Sequence, residues 1–579
     1  MERSYEIPHV ARPRRAHGAT PATGHPDRSE RTALVVGAGV GGLAAAARLA
    51  HRGFDVTVLE QHDVPGGRVG LWRSAGFTFD TGASLVMMTE YWHRLFRHLD
   101  RRLEDYVTLV PLDPCYRIHF PDGTTHDRTS AMDRLIEGCE TIEPGCRPRL
   151  LAYLATTGRL YADGLRFIDR NLHRLSDMLS LPHLRLLGGA GALGDLQRLV
   201  SRYFRDERLR QSLSFQTLYL GLSPYESLAV YSLLPYVEIA EGIHYPMGGM
   251  HRLPRALERL ATELGVRFRY GARVERIDRG ADVVTGVRLA DGERITADLV
   301  VANADLPYTY DRLLNEPLTG LEAKRFSCSA VLLCLGVNRT YPHLLHHNFV
   351  VGRNMRTACE DMFVRHRMPE DPPFYVVATT RTDPGQAPPG CENLFVLVLA
   401  PSQPRDRARW IDWSAEGPRV EEQTLSRMEA TLGLTDLRRH IVTRHLATPQ
   451  VFSDRYGNLR GEAFGLSHNL RQIGWFRPHN RHPRLRNLYF VGQSTHPGCG
   501  LPMVLISAEC VVDGFSRSGE PGDGDGPSVR RPGRRARALL PGRRARHRAV
   551  GEELLLRQPL PPGREAPGGL RAIRLLPPR

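Results

Sequence analysis

Short apolar runs and helical periodicities alternate at both ends of a long central region. Thr32 to Val36 is an uninterrupted β-type run, and a glycine cluster separates it from the alanine-rich helical run Leu43 to His51. Asp55 to Leu59 is a second apolar strand, ending in Glu60. Far downstream, Asn487 to Val491 is a further strand, followed by the Pro/Gly loop His496 to Pro502 and a helix over Met503 to Phe515. Between residues 148 and 240, Leu, Tyr and Phe recur at three- and four-residue spacing, which predicts helices. Residues 273–302 read as a hairpin of Val274 to Ile277, Val283 to Leu289 and Ile295 to Val301, with a turn at Asp291-Gly292. The pattern predicts an α/β chain, α+β overall.

The two ends differ from this region. Residues 1–30 are rich in Pro, Arg, His and Gly without periodicity and read as a disordered leader; 517–579 read as a disordered Arg/Pro-rich tail. The net charge of the 579 residues is +15, of which +2 falls in 1–31 and +9 in 517–579. Only +4 is left for the 485 residues between, so the basicity belongs to the ends. With no nucleic-acid-reading module alongside it, the charge does not predict a nucleic-acid partner. The nine cysteines form no CxxC pair, which disfavours a metal site and a disulfide framework and fits a reducing, cytoplasmic compartment. No apolar run is long enough to predict a spanning helix.

Gly37, Gly39 and Gly42 form GxGxxG directly after a strand and before a helix. The first allows a tight turn, the second a close approach of backbone to a pyrophosphate, and the third close packing of helix on strand. The phosphates then meet the helix N-terminus. Glu60 ends the next strand, placed to accept hydrogen bonds from a ribose; an acid there fits NAD or FAD and repels the extra phosphate of NADP. Gly66-Gly67-Arg68 adds a second glycine turn with an arginine able to reach phosphate. Phe79 to Ser84 offers small residues against which a flat ring can lie.

The segment VVGAGVGGLAAAARLAHRGFDVTVLEQHDVPGGRVG resembles the N-terminal signature of the FAD-dependent amine oxidase-like superfamily, and within it the bacterial phytoene desaturases. Gly242 to Gly249 is similar to that family's aromatic-Pro-x-Gly-Gly loop, and Leu345 to Phe349 to its HH motif. Asp383-Pro384 through Gly390, Gly461 to Gly465, Phe476 to Asn480 and Asn487 to Pro502 resemble four further family segments, in order. The likeness covers residues 32–516. Gln493, Cys499 and Met503 depart from it, standing where many relatives carry smaller residues.

The resemblance implies a Rossmann-type FAD-binding domain (32–140, 241–305 and 476–516) with an inserted substrate domain of mixed sheet and helical cap (141–240 and 306–475). It assigns Gly37, Gly39, Gly41, Gly42, Glu60, Gly66, Gly67, Arg68, Gly82, Ser84, Val274, Gly492, Pro502 and Met503 to FAD, and no residue to a metal. The implied reaction is desaturation of a carotenoid precursor, phytoene, to more conjugated carotenes such as lycopene. It proceeds by hydride transfer to flavin and proton loss, with quinone or oxygen as electron acceptor. A 3,4-desaturase, ketolase or isomerase of the same family, or a flavin-binding partner without turnover, are alternatives. Asp206 to Gln211 resembles a charged family segment facing the substrate chamber, which makes Asp206 a proton acceptor and Arg210 a residue that positions the flavin or that acid; as a charge run, the same segment reads as a surface salt bridge. A carotenoid dissolves in the bilayer, so a peripheral membrane association is expected, with Leu179 to Leu187, Arg174 and Arg185 as the docking stretch. His496, in the closing loop, is read either as a ring contact or as a loop-stabilising residue.

Overall fold

Residues 31–169, 172, 192–317 and 320–514 are described in a computed structural model of the chain. The leader, the tail and the Leu179 to Leu187 stretch lie outside them. Five parallel strands form the first sheet, in the order Leu488–Phe490, Leu299–Ala302, Thr32–Val36, Asp55–Leu59, Arg267–Arg269. Strands more than four hundred and fifty residues apart in sequence therefore meet in one sheet. The helix Val40–His51 packs on it and against the helices Arg252–Glu263 and Leu501–Gly514. Ala44 to Ala47 are fully buried in that contact, and their small side chains let the three helices approach closely. Larger residues there would overpack the core at about 1–3 kcal/mol each.

The hairpin expected over 273–302 needs correction. Val274–Arg279, Val284–Leu289 and Arg294–Thr296 form an antiparallel sheet, but Leu299–Ala302 leaves it and runs parallel to Thr32–Val36. Residues 295–301 read as one strand because the β-formers Ile295 and Thr296 lead into the apolar run Leu299 to Val301, and Ala297-Asp298 between them gave no turn signal.

A seven-stranded sheet forms the second layer, in the order Ile441–Ala447, Ser329–Val337, Glu392–Ala400, Phe374–Val377, His347–Val350, Tyr116–His119, Thr125–Arg128. Its last two strands come from within the span 32–140 that the sequence division gave to the FAD domain. They add to the sheet edge through a parallel pairing of Tyr116–His119 with His347–Val350. Both faces are covered. Val331, Leu333, Leu335 and Val337 point to the helix Trp413–Leu432, while Ala330, Leu332 and Cys334 point to the opposite core, as period-two alternation requires. Among the described residues, the α-helices Arg147–Ile168, Leu196–Ser201, Glu207–Ser212 and Leu233–Ala240 lie in the region in which helices were expected. No described helix is long and apolar enough to cross a membrane.

Candidate functional site

The carboxyl ends of the parallel strands open onto a cavity of about 640 Å³ that continues along one face of the seven-stranded sheet. At its polar end lie Gly37, Gly39, Gly41, Glu60, Gly66, Gly67, Arg68, Gly82, Ser84, Val274, Gly492 and Pro502, twelve of the fourteen positions assigned to FAD. Gly39 is the N-cap of the helix Val40–His51, so that helix's first amides stand in the wall. Gly66 donates its amide to Ala38 O at 2.9 Å, which holds the second glycine turn against the first.

Gly42 does not line the cavity. A Cβ there would stand 2.2 Å from Gly37 O, so its role is the close helix-on-strand packing that the motif predicts. Met503 is the other assigned position outside the cavity wall: Leu501, Pro502 and Val504 border the cavity, while Met503 packs against the core around Val40–His51. His496 is buried and also outside the cavity wall.

The residues fit a dinucleotide. Arg68 Nη1 is buried in the wall without a hydrogen-bond partner, a free donor where the glycine turns would present a pyrophosphate. Glu60 accepts from the Ala38 and His62 amides at 2.7 and 2.9 Å. A carboxylate has about four acceptor positions, so two remain for ribose hydroxyls. Motif reading missed Asn303 and Asp305, which follow the misassigned strand Leu299–Ala302. Asn303 fills the space that Gly39 and Gly41 leave, since a Cβ on either would fall within 2.7 and 2.9 Å of its amide group. Asp305 accepts from Ser494 Oγ at 2.8 Å. Burial raises its proton affinity, and Glu462 nearby is raised for the same reason and by the charge of Asp305.

Motifs distant in sequence prove to be the fastenings of this cradle. Arg477 is fully buried and donates to five backbone carbonyls: Thr495 at 2.9 Å, Ser467 and Leu466 at 3.3 Å, Gln472 at 3.2 Å, and Gln493. Burial pulls its pKa down to about 10, so it remains charged at neutral pH. Asn480 donates to Phe490 O and His496 O, closing the same loop. On the other side, Asp80 accepts from the Met250 and His251 amides and Asp383 from Gly248, which fixes the Pro-x-Gly-Gly loop.

Beyond the cradle the wall becomes apolar, with Leu218, Leu234, Leu332, Phe349, Leu397 and Phe464. Tyr219 and Tyr375 are polar exceptions, and Tyr375 Oη pairs with His347 Nδ1 at 2.5 Å. Asp206 and Arg210, the expected catalytic pair, do not border this cavity. Asp206 caps the helix Glu207–Ser212, accepting from the Arg208 amide at 2.8 Å, and pairs with the Arg208 guanidinium at 2.8 Å. That pairing holds its carboxyl below the usual range, which suits a salt bridge and not a base. Arg210 donates to Phe204 O at 2.9 Å. The charge-run reading of this segment is the one its geometry supports.

The flavin-containing amine oxidoreductase family model matches residues 40–327. A zeta-carotene-forming phytoene desaturase from Myxococcus xanthus is 48% identical over 488 residues, 83% of this chain and 93% of that protein. A lycopene-forming phytoene desaturase from Pseudescherichia vulneris is 35% identical, over 83% and 98%. The chain belongs to the phytoene desaturase family of amine oxidase-like flavoproteins. It is an FAD-dependent oxidoreductase. An oxidoreductase from Methanosarcina mazei shares the fold, with a TM-score of 0.57 at 17% identity over 83% of this chain and all of that one.

Arg477→Met keeps roughly the volume and removes all five of these hydrogen bonds, with Ser467 O keeping only its bond from Gln472 Nε2, and should cost at least about 3 kcal/mol. Chemical denaturation and bound-flavin absorbance check it: the variant should unfold earlier and purify without yellow colour. Wild-type stability with full FAD would contradict the fastening role.

Proposed function

We propose that this flavoenzyme desaturates phytoene. The observation that carries the reading is one continuous cavity, with a glycine-lined cradle suited to FAD at one end and a chamber that is apolar but for Tyr219 and Tyr375 at the other. Bound FAD supplies the hydride acceptor that removal of two hydrogens from an unactivated hydrocarbon requires. The chain orients the polyene against the strand residues Leu332 and Leu397 and keeps water from it; a long hydrocarbon needs packing surface more than polar contacts. The two relatives named above form zeta-carotene and lycopene respectively. Identity favours the former, so phytoene is taken to zeta-carotene, with lycopene as the more extended outcome. Quinone or oxygen then re-oxidises the flavin.

Expression in cells that accumulate phytoene, followed by pigment chromatography, tests this. Zeta-carotene or a more conjugated carotene should replace phytoene. Unchanged phytoene beside flavin-loaded protein would overturn the reading, and an oxygenated or isomerised pigment would move the chain to another activity of the family.

The substrate's insolubility also supports a peripheral membrane association. Purified enzyme should float with anionic phosphatidylglycerol vesicles and be stripped by alkaline carbonate. Conversion of carotenoid in vesicles by enzyme that does not float would contradict it.

A further inference from the structure

Hydride loss from a hydrocarbon leaves an allylic cation, and the double bond forms only when the neighbouring carbon gives up a proton. The chamber must therefore offer a proton acceptor and, in a medium of low dielectric, a compensating charge. The carboxylates in the cavity wall are committed to the cradle or lie at its rim. Glu60 holds two backbone amides, Asp305 holds Ser494, and Asp454 stands near Arg455 at the cradle end.

Behind the apolar half stands one more. Glu238 is 1% exposed on the helix Leu233–Ala240, one turn after Leu234, which borders the chamber, and therefore on the same helix face. Tyr116 Oη and Gln216 Nε2 donate to its Oε2, the latter at 2.9 Å. Oε1 has no hydrogen bond of ordinary length among the described residues. Tyr219, itself in the chamber wall, stands beside the carboxylate and joins Arg128, Tyr116 and Gln216 in favouring its charged form.

A purely structural ion pair is a poor account of this carboxylate. Its cation, Arg128, is equally buried, but the closest approach is 3.9 Å, and Arg128 Nε and Nη2 are themselves without hydrogen bonds. A buried charge with an unbonded oxygen destabilises a fold unless geometry compensates it, and here it does so incompletely.

We propose that Tyr219 and Glu238 form the proton exit of the desaturation, an inference that rests on the desaturase reading above. Tyr219 is the catalytic residue, since it borders the substrate; Glu238 is the positioning residue that acts through it. One C–H bond of the polyene breaks with its electron pair leaving as hydride, so the substrate is oxidised and FAD reduced. The adjacent C–H bond then breaks, its electron pair becomes the new π bond, and its proton passes to Tyr219 Oη. The hydroxyl proton of Tyr219 moves at the same time to the Glu238 carboxylate, which becomes a neutral carboxylic acid. Before the transfer, its negative charge lies behind the wall where the cation develops.

Burial raises the proton affinity of Glu238, and Arg128, Tyr116, Gln216 and Tyr219 pull it back. Cys115, Tyr153 and Tyr375 also face it, from the strand edge, the long helix and the sheet. The base form exists above the folded-state pKa. The rate should therefore fall on acidification, with a midpoint above the ordinary glutamate value of about 4.3.

The test uses FAD-loaded enzyme and phytoene in phosphatidylglycerol vesicles. Y219F and E238Q should each lose about 10²- to 10⁴-fold in kcat, with KM and flavin absorbance unchanged. E238Q should lose the acid limb of the pH profile, and E238D should restore part of the rate together with that limb. In resting enzyme without substrate, infrared difference spectra across the limb should show a carboxyl band that E238Q abolishes. Wild-type kcat in Y219F and E238Q overturns the proposal, as does an acid limb that survives in E238Q. If E238Q does not fold, Y219F alone decides by its kcat. A wild-type enzyme that binds FAD and leaves phytoene untouched refutes the desaturase reading itself, and the proton exit falls with it.

Discussion

The site depends on a stretch of backbone stripped of side chains at the carboxyl edge of the parallel sheet. Gly42 sits where a Cβ would be 2.2 Å from Gly37 O, and Gly82 where one would be 1.8 Å from Arg68 O. No side chain fits at either place, so the helix can seat on the strand and Arg68 can reach the cradle. Asn303 fills the remaining space from a third strand. Because the sheet takes strands from residues 32–36, 299–302 and 488–490, the cradle exists only when these three distant segments have met.

Two buried fastenings make that meeting specific. Arg477 binds the closing loop from within through five carbonyls, and Asp80 with Asp383 ties the Pro-x-Gly-Gly loop to the start of helix Arg252–Glu263. Charged groups in such places cost desolvation, which complete hydrogen bonding offsets. The second sheet then extends the cradle into a chamber. Its central strands are apolar on both faces, one against the helix Trp413–Leu432 and the other toward the cavity, so this side of the chamber wall is sheet core. The chemistry needs such a wall, since a hydrocarbon offers no polar handle by which to be placed.

The cradle was legible because glycine positions, strand ends and Glu60 obey local rules that leave a spaced signature. Gly42 and Met503 show the limit: adjacency in a motif does not say which face of a helix a residue takes. The strand Leu299–Ala302 was hidden in a hairpin because apolar runs do not announce their partners, and Asn303 and Asp305 were hidden with it. Tyr116–His119 and Thr125–Arg128 could not be given to the larger sheet from sequence, since their partner His347–Val350 lies more than two hundred residues on. Asp206 and Arg210 drew attention as a charge run, and the fold uses them in a helix cap and its neighbouring carbonyl. Glu238, a lone acid in the run LLPYVEIA, gave no pattern to read. Its interest arises only from burial and from Tyr219.

The most direct measurement is anaerobic mixing of FAD-loaded enzyme with phytoene in vesicles, followed by flavin absorbance and extraction of the carotenoid. Bleaching of the oxidised flavin, with one new carbon–carbon double bond for each flavin reduced, is the predicted result. A flavin that stays oxidised beside unchanged phytoene would contradict the account.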